Sequence, residues 1–463
     1  MSDPAARRGP QTGSSPAVRR PDLLLYGALA LPLAFAGLPV YLHAPDFYAT
    51  SYGVPLAALG GVLLGLRAID AIQDPLIGAL SDALADRRRL VLLAGAFMLL
   101  AGFGGLFNPP ALSGTGYLAW FAVNVFVCTT GFSIVSINYQ ALGGLWPAST
   151  ADRTRITGTR EALGLVGILA ASVLPSVLRN RYDAAAAFQV VTLVLAILLV
   201  ASGVLFLRWL ATDRNAPADE TADAMAGGRE ALPASDTASD TASAGFRDLL
   251  RGGWARRFYG IYFISNFASA IPAVLVLFYI RDRLAAETWT GLFLLVYFLS
   301  GAASMPVWQA VARRAGTARA WGVSMIVAAV TFIWAFTLGA GDIVPFAVVC
   351  VLSGSALGAD LALPPALLAD RIERAGDEAI ASRYFSGAAF FAKASFALAT
   401  GLTLPVLDAL GYVPGAPAVG AVGLYLSGVY ALIPCAIKIA AALWLLRSLR
   451  VLSDERPVGA RRM

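Results

Sequence analysis

Charge is scarce in this chain, and so are the residues on which most soluble-protein chemistry depends. Of 463 residues only 14% are charged, where a soluble domain averages nearer ~25% because its surface has to be covered. There is one histidine, His43, near the outer end of the first apolar run, and it is given no role. Three cysteines, Cys128, Cys350 and Cys435, are scattered through apolar runs. That scatter suits packing and argues against both a disulfide framework and a His/Cys metal site. No Gly-rich loop ends in Lys-Ser or Lys-Thr, which argues against a nucleotide-driven machine within this chain. The N-terminal stretch MSDPAARRGPQTGSSPAVRRPD lacks the short apolar core and small-residue cleavage site of a signal peptide. No catalytic constellation is found, so no enzyme activity and no cofactor are expected.

What the chain does have is apolar length. It is 58% hydrophobic with a mean hydropathy of +0.69, so lipid must be its main solvent. Apolar runs of ~20 residues can cross ~30 Å of hydrocarbon at ~1.5 Å per residue. They fall at 22–45, 55–81, 90–109, 115–142, 161–178 and 187–210, then at 258–280, 288–312, 319–338, 343–370, 384–407 and 419–446. The expected organisation is a tail over 1–21, a six-helix bundle over 22–210, a linker over 211–257, a second bundle over 258–447 and a tail over 448–463. The linker repeats SDTASDTASA and cannot bury a core.

All but two of the 35 basic residues are arginine. They gather on alternate loops, at Arg87, Arg88 and Arg89, at Arg313, Arg314 and Arg319, and again in both tails. The positive-inside rule places those loops and both termini in the cytoplasm. Charge spread along a membrane face does not fit a nucleic-acid-binding domain. A short echo relates span 2, DPLIGALSDALADRRR, to span 8, MPVWQAVARRAGTAR, with Pro75 matched to Pro306 but Asp74 matched to Met305. Paired halves of this kind are one known way to build a transporter.

Ionisable groups inside a span cost a few kcal/mol (~3 by insertion scales) and therefore mark function. Span 2 reads GLRAIDAIQDPLIG, and its i, i+3, i+7 spacing puts Arg67, Asp70 and Asp74 on one helical face. Two carboxylates a turn apart suit a hard monovalent cation or a proton, and no other metal. A buried salt bridge to Arg67 is the plainer alternative. In span 4, GFSIVSINYQALGG, Ser133, Ser136 and Gln140 repeat the spacing, with Asn138 alongside. They could complete a cation shell or simply bond helix to helix. Arg160 and Glu161 open span 5. Lys393, in the middle of span 11, needs an acid or a solute oxygen, and Asp360 of span 10 is one candidate partner. Lys438 is expected to snorkel or pair locally, and Asn266 of span 7 is a possible polar contact.

At RAIDAIQDPLIGALSDALADRRR the chain resembles the glycoside–pentoside–hexuronide:cation symporters, the melibiose-permease branch of the major facilitator superfamily. The resemblance continues through GFSIVSINYQALG, Arg160, LLADRIERAGDE and FFAKASFALATGLTLPVLDALGY. It implies an all-α fold of twelve transmembrane helices in two pseudo-symmetric six-helix bundles, rocking about a midplane site. By that resemblance Asp70 and Asp74 fall on the family's cation-site acids, Ser133 on a hydroxyl ligand of the same ion, and Arg160 and Lys393 on cations near the sugar site. Two features depart from it. Span 1, YGALALPLAF, has no sugar-binding acid, and Ser136 and Gln140 stand where the family has an acid and an aromatic.

The expected activity is Na⁺- or H⁺-coupled symport of a small organic solute by alternating access, with a sugar, a glycoside or an acidic solute such as a uronide as cargo. Its partners would be that solute, the cation and membrane lipid, in a bacterial inner membrane, with the chain working as a monomer. The alternative is a drug or metabolite exporter, or a lysolipid-type amphipath carrier, of the same superfamily.

Overall fold

The computed structural model describes residues 19–84, 87–146, 150–179, 181–211, 252–377 and 381–452. Nearly all of the expected linker and most of both tails lie outside these. The described chain is helical throughout: α1 Arg20–Tyr52, α2 Leu56–Ala83, α3 Arg88–Phe107, α4 Thr115–Leu145, α5 Thr150–Arg179 and α6 Ala184–Leu210. The second half follows as α7 Gly253–Arg283, α8 Thr290–Ala315, α9 Thr317–Thr337, α10 Ile343–Ala375, α11 Ala381–Ala409 and α12 Gly420–Arg447. Among the described residues eleven of these are long and apolar enough to cross a membrane. The remaining one, α2, is 28 residues long and carries the acid motif.

Local chemistry sets the helix ends. Gly53 and Gly376 close α1 and α10 with φ of +64° and +68°, where a Cβ would be strained. Asp183 caps α6 by accepting from the Ala186 N–H at 2.7 Å. The largest departure from the expected spans is α5, which begins eleven residues before position 161 because a polar segment, TADRTRITGTR, continues the backbone ladder that hydropathy alone cannot see. Short π-helical segments interrupt α1 at Pro39–His43 and α12 at Gly428–Leu432, and another ends α7 at Tyr279–Arg283.

Helix pairing repeats six helices on. The contacts α1–α5, α2–α4, α3–α4 and α3–α6 recur as α7–α11, α8–α10, α9–α10 and α9–α12. Across the middle, α2 packs on α11 and α5 on α8, two contacts that one pseudo-two-fold exchanges. The span 2 and span 8 segments that echo one another therefore occupy equivalent positions. Since lipid tails are as apolar as leucine, close approach rather than hydrophobic burial holds such helices together. A Cβ at Gly131 of α4 would stand 2.3 Å from the Leu99 backbone N, and one at Gly354 of α10 would stand 2.3 Å from the Tyr297 carbonyl O. Outward, Leu193, Ile197 and Val200 form an exposed apolar stripe on α6 suited to lipid.

Candidate functional site

Asp70 lies halfway along α2, and Lys393 lies near the middle of α11, so the α2–α11 contact brings both to mid-bundle. Lys393 forms an ion pair with Asp74, and its Nζ is 3.4 Å from Asp70 Oδ2. Arg67 reaches the same Asp70 oxygen at 3.9 Å. The other Asp70 oxygen accepts from Gln73 at 3.2 Å and from the Ser133 hydroxyl of α4 at 3.4 Å. Thr130, one turn before Ser133, donates to Gln73 at 3.2 Å. Asp74 Oδ1 is buried with no hydrogen-bond partner among the described residues. A buried carboxylate oxygen with an unused lone pair is what a bound cation or proton would satisfy.

The cluster holds two positive and two negative groups, so it is neutral as it stands. Arg67 pairs with Asp70, as in the plainer reading of span 2, and Asp74 Oδ1 keeps an unused lone pair. Lys393 meets these acids and not Asp360, which corrects that candidate pairing. Arg160 pairs with its neighbour Glu161 at 2.7 Å rather than with the cluster. Gln140 is exposed and donates to Ser136 at 2.9 Å, while Asn138 donates to Ser81 of α2 at 2.8 Å, a helix-to-helix bond. Asn266 donates back to the Tyr262 carbonyl of its own helix at 2.8 Å.

A cavity of about 420 Å³ lies between the halves, with walls from α1, α4 and α5 on one side and α7 to α12 on the other. Tyr41 and Phe396 form its partition toward the acid cluster. Their rings meet edge-on at 5.9 Å, and the Arg67 guanidinium lies 3.8 Å from the Tyr41 centroid and 5.6 Å from that of Phe396. Apart from Tyr41, the first-half wall is apolar, with Leu33, Leu38, Phe132 and Ile168 among it.

On the second-half wall sits another ion pair. Lys438 of α12 is buried and contacts Asp360 of α10 at 2.5 Å, correcting the expectation that it snorkels or pairs locally. It also donates to the Ser265 and Ser269 hydroxyls of α7 at 2.9 and 2.8 Å. Trp321 of α9 donates to Asp360 at 3.1 Å. Asp360 and Lys438 are the two charged groups on the cavity wall among the described residues. One of each sign gives the cavity no bias toward an anionic solute.

At the end of the bundle away from the termini, Asp46 of α1 pairs with Arg281 of α7, and Arg179 of α5 pairs with Glu287, just before α8, at 2.6 Å. His43, Asp46, Arg179, Arg281 and Glu287 line a smaller space of about 150 Å³ there. Sequence reasoning misses Gln73, Thr130, Tyr41 and this whole set. Thr130 extends the polar stripe of α4 one turn back and is readable from spacing. Gln73 is readable too, three residues from Asp70 on the same helix; the others carry no spacing signal, because their partners lie on helices far away in sequence.

A family model described as "MFS/sugar transport protein" matches residues 23–450. The chain is similar to the "Inner membrane symporter YicJ" of Escherichia coli (strain K12), 30% identical over 150 residues, which are 30% of this chain and 31% of that protein. It is also similar to the "Uncharacterized symporter YnaJ" of Bacillus subtilis (strain 168), 29% identical over 153 residues, 32% and 33% of the two chains. The matched stretch thus spans about a third of each relative's length. Among solved structures, a POT family transporter in complex with a thioalcohol-conjugated peptide superposes with a TM-score of 0.62 at 13% identity, over 94% of this chain and 96% of that one. The nucleoside transporter NupG gives 0.63 at 13% identity, over 93% and 100%. At these identities the likeness is one of fold.

Proposed function

The chain belongs to the MFS/sugar transport protein family, a family of membrane transporters, and on that basis we propose that it is a cation-coupled symporter of a sugar or glycoside. The observation that carries the reading is the neutral Arg67–Asp70–Asp74–Lys393 cluster with an unpartnered oxygen on Asp74. A Na⁺ or H⁺ entering it leaves one excess positive charge in the membrane interior, which is costly. Lys393, held to Asp74 by charge and a hydrogen bond, gives way to the ion and turns toward the cavity beside Phe396, where a solute oxygen can stabilise the excess charge. The lysine is then free to meet an oxygen of the solute. Cation binding thereby favours the solute-binding arrangement, the differential affinity that coupling requires. Asp70, Asp74 and Ser133 are the proposed ion ligands, Arg67 their organiser, and the positive-inside pattern puts the termini in the cytoplasm.

The test is uptake in proteoliposomes, screening neutral and acidic glycosides with and without Na⁺ at two pH values. Uptake of one class should depend on a Na⁺ or H⁺ gradient, and Asp70→Asn should reduce accumulation at least tenfold. Normal concentrative uptake by that variant sinks the assignment. A lysolipid-type carrier is the second reading, favoured by the largely apolar, aromatic cavity wall. Cation-dependent uptake of a lysolipid with none of any glycoside would establish it.

A further inference from the structure

The ion pair between Asp360 and Lys438 lies on the cavity wall, apart from the ion cluster of α2 and α11. Both residues face the cavity near mid-bundle, on α10 and α12, and the pair is held from two neighbouring helices, α7 and α9. Ser265 and Ser269 accept from the Lys438 ammonium, and the Trp321 indole donates to Asp360 Oδ1. These bonds fix both charged groups in orientation. Asp360 is 18% exposed at its side chain and Lys438 6%, so the carboxylate is the more open of the two.

Around this patch the wall is apolar. Phe293, Tyr297, Phe298 and Phe332 approach from the second half, and the first half supplies leucines and Phe132. A solute that fills the cavity must therefore bring a small polar head to one point and an apolar body to the remainder. The three ammonium protons of Lys438 are taken by Asp360, Ser265 and Ser269, so what the pair offers a solute is the remaining lone-pair capacity of the more open Asp360 carboxylate, a charged acceptor for donating hydroxyl groups. An anionic head is disfavoured, because its charge would stand beside a pair already balanced.

We propose that Asp360 and Lys438, with Ser269, form the head-group site for the hydroxylated ring of a neutral glycoside whose aglycone is aromatic or alicyclic, the aglycone lying against the aromatic wall. The proposal rests on the symporter reading for its cargo class, yet it assigns recognition to the second half, across the cavity from the ion cluster. It also accounts for the first-half wall, where Tyr41 is the one side chain with a hydroxyl among the described residues.

The experiment uses the full-length protein in lipid nanodiscs. The 4-nitrophenyl β-glucoside, β-galactoside, β-xyloside and β-glucuronide are each titrated beside the corresponding methyl glycoside, with Na⁺ present. At least one neutral nitrophenyl glycoside should bind tenfold or more tightly than its methyl partner, and the glucuronide should bind more weakly than the glucoside. The double variant Asp360→Asn/Lys438→Gln replaces the charged pair with neutral amides and so removes the charge assistance of its hydrogen bonds. It should weaken that glycoside at least tenfold while cation-induced thermal stabilisation stays within twofold of the parent. Ser269→Ala, which disturbs folding least, should weaken it about threefold. Unchanged affinity in these variants overturns the head-group site, as does equal binding of methyl and nitrophenyl glycosides or tighter binding of the glucuronide. Binding with the expected pattern but without cation-dependent uptake leaves the site standing and sinks the symporter reading instead.

Discussion

Lys393 decides how the cluster behaves, because its ammonium occupies the place between Asp70 and Asp74 that the proposed ion would take. At an effective dielectric of ~20, a unit charge ~4 Å away is worth up to ~4 kcal/mol, and tenfold in affinity needs only ~1.4 kcal/mol. Lys393→Gln leaves the cluster with one net negative charge. Its cation affinity should therefore rise at least tenfold, and solute should no longer raise it further. Calorimetric cation titration with and without a transported glycoside measures both effects. Unchanged cation affinity would mean that Lys393 does not compete for the acids. The i, i+3, i+7 spacing of Arg67, Asp70 and Asp74 makes three of the four charged groups of this cluster legible, since one helix face is a local property. The pairing of Lys393 with Asp74 is not legible, since it joins positions 319 residues apart through the α2–α11 contact. Asp360 stands out in the sequence as an intramembrane acid, but the choice between two lysines falls on the wrong one for the same reason.

Helices are the most readable scale, because span length and apolar content answer directly to bilayer thickness. How they pack is written in smaller signs. Gly354 and Gly358 make a Gly-x-x-x-Gly pair on α10. A Cβ on the second would stand 2.3 Å from the Gly301 carbonyl O and 2.2 Å from Ser304 Oγ of α8. Small residues at this spacing let two backbones touch, and a side chain there pushes them apart. Backbone atoms cannot yield as a flexible side chain would, so Gly354→Leu should be severe and Gly354→Ala intermediate. The midpoint of thermal unfolding in detergent should fall by several degrees for Ala, with most of the protein aggregating for Leu. Gly61→Ala, on α2 where an added methyl meets nothing within 4 Å, is the control and should be neutral.

At the scale of the whole molecule, the two halves are tied at the end away from the termini. Gly60 of α2 lies against Leu404 and Pro405 of α11, and Gly291 of α8 lies against Val173 and Ser176 of α5. The Asp46–Arg281 and Arg179–Glu287 pairs bridge the same end. The two bridges are unequal. Arg179 and Glu287 are 30% and 43% exposed at their side chains, so water screens them and their worth is ~0–1 kcal/mol. Asp46 and Arg281 are 5% and 13% exposed, and breaking a buried pair from one side costs ~3–5 kcal/mol. Arg281 keeps a second partner in Asp282, at 2.7 and 2.8 Å, so Asp46→Asn removes the tie between halves without stranding the guanidinium. That substitution acts on the closed arrangement alone, so it should move the equilibrium toward opening at this end, whereas Glu287→Gln should move it little. Two native thiols report the change, since Cys350 and Cys435 line the cavity. With the termini in the cytoplasm, as proposed, a membrane-impermeant maleimide added outside should label Cys435 at least tenfold faster in Asp46→Asn, resolved from Cys128 by peptide mapping. Equal labelling in parent and variant would mean that the glycine contacts, and not the buried ion pair, hold this end shut.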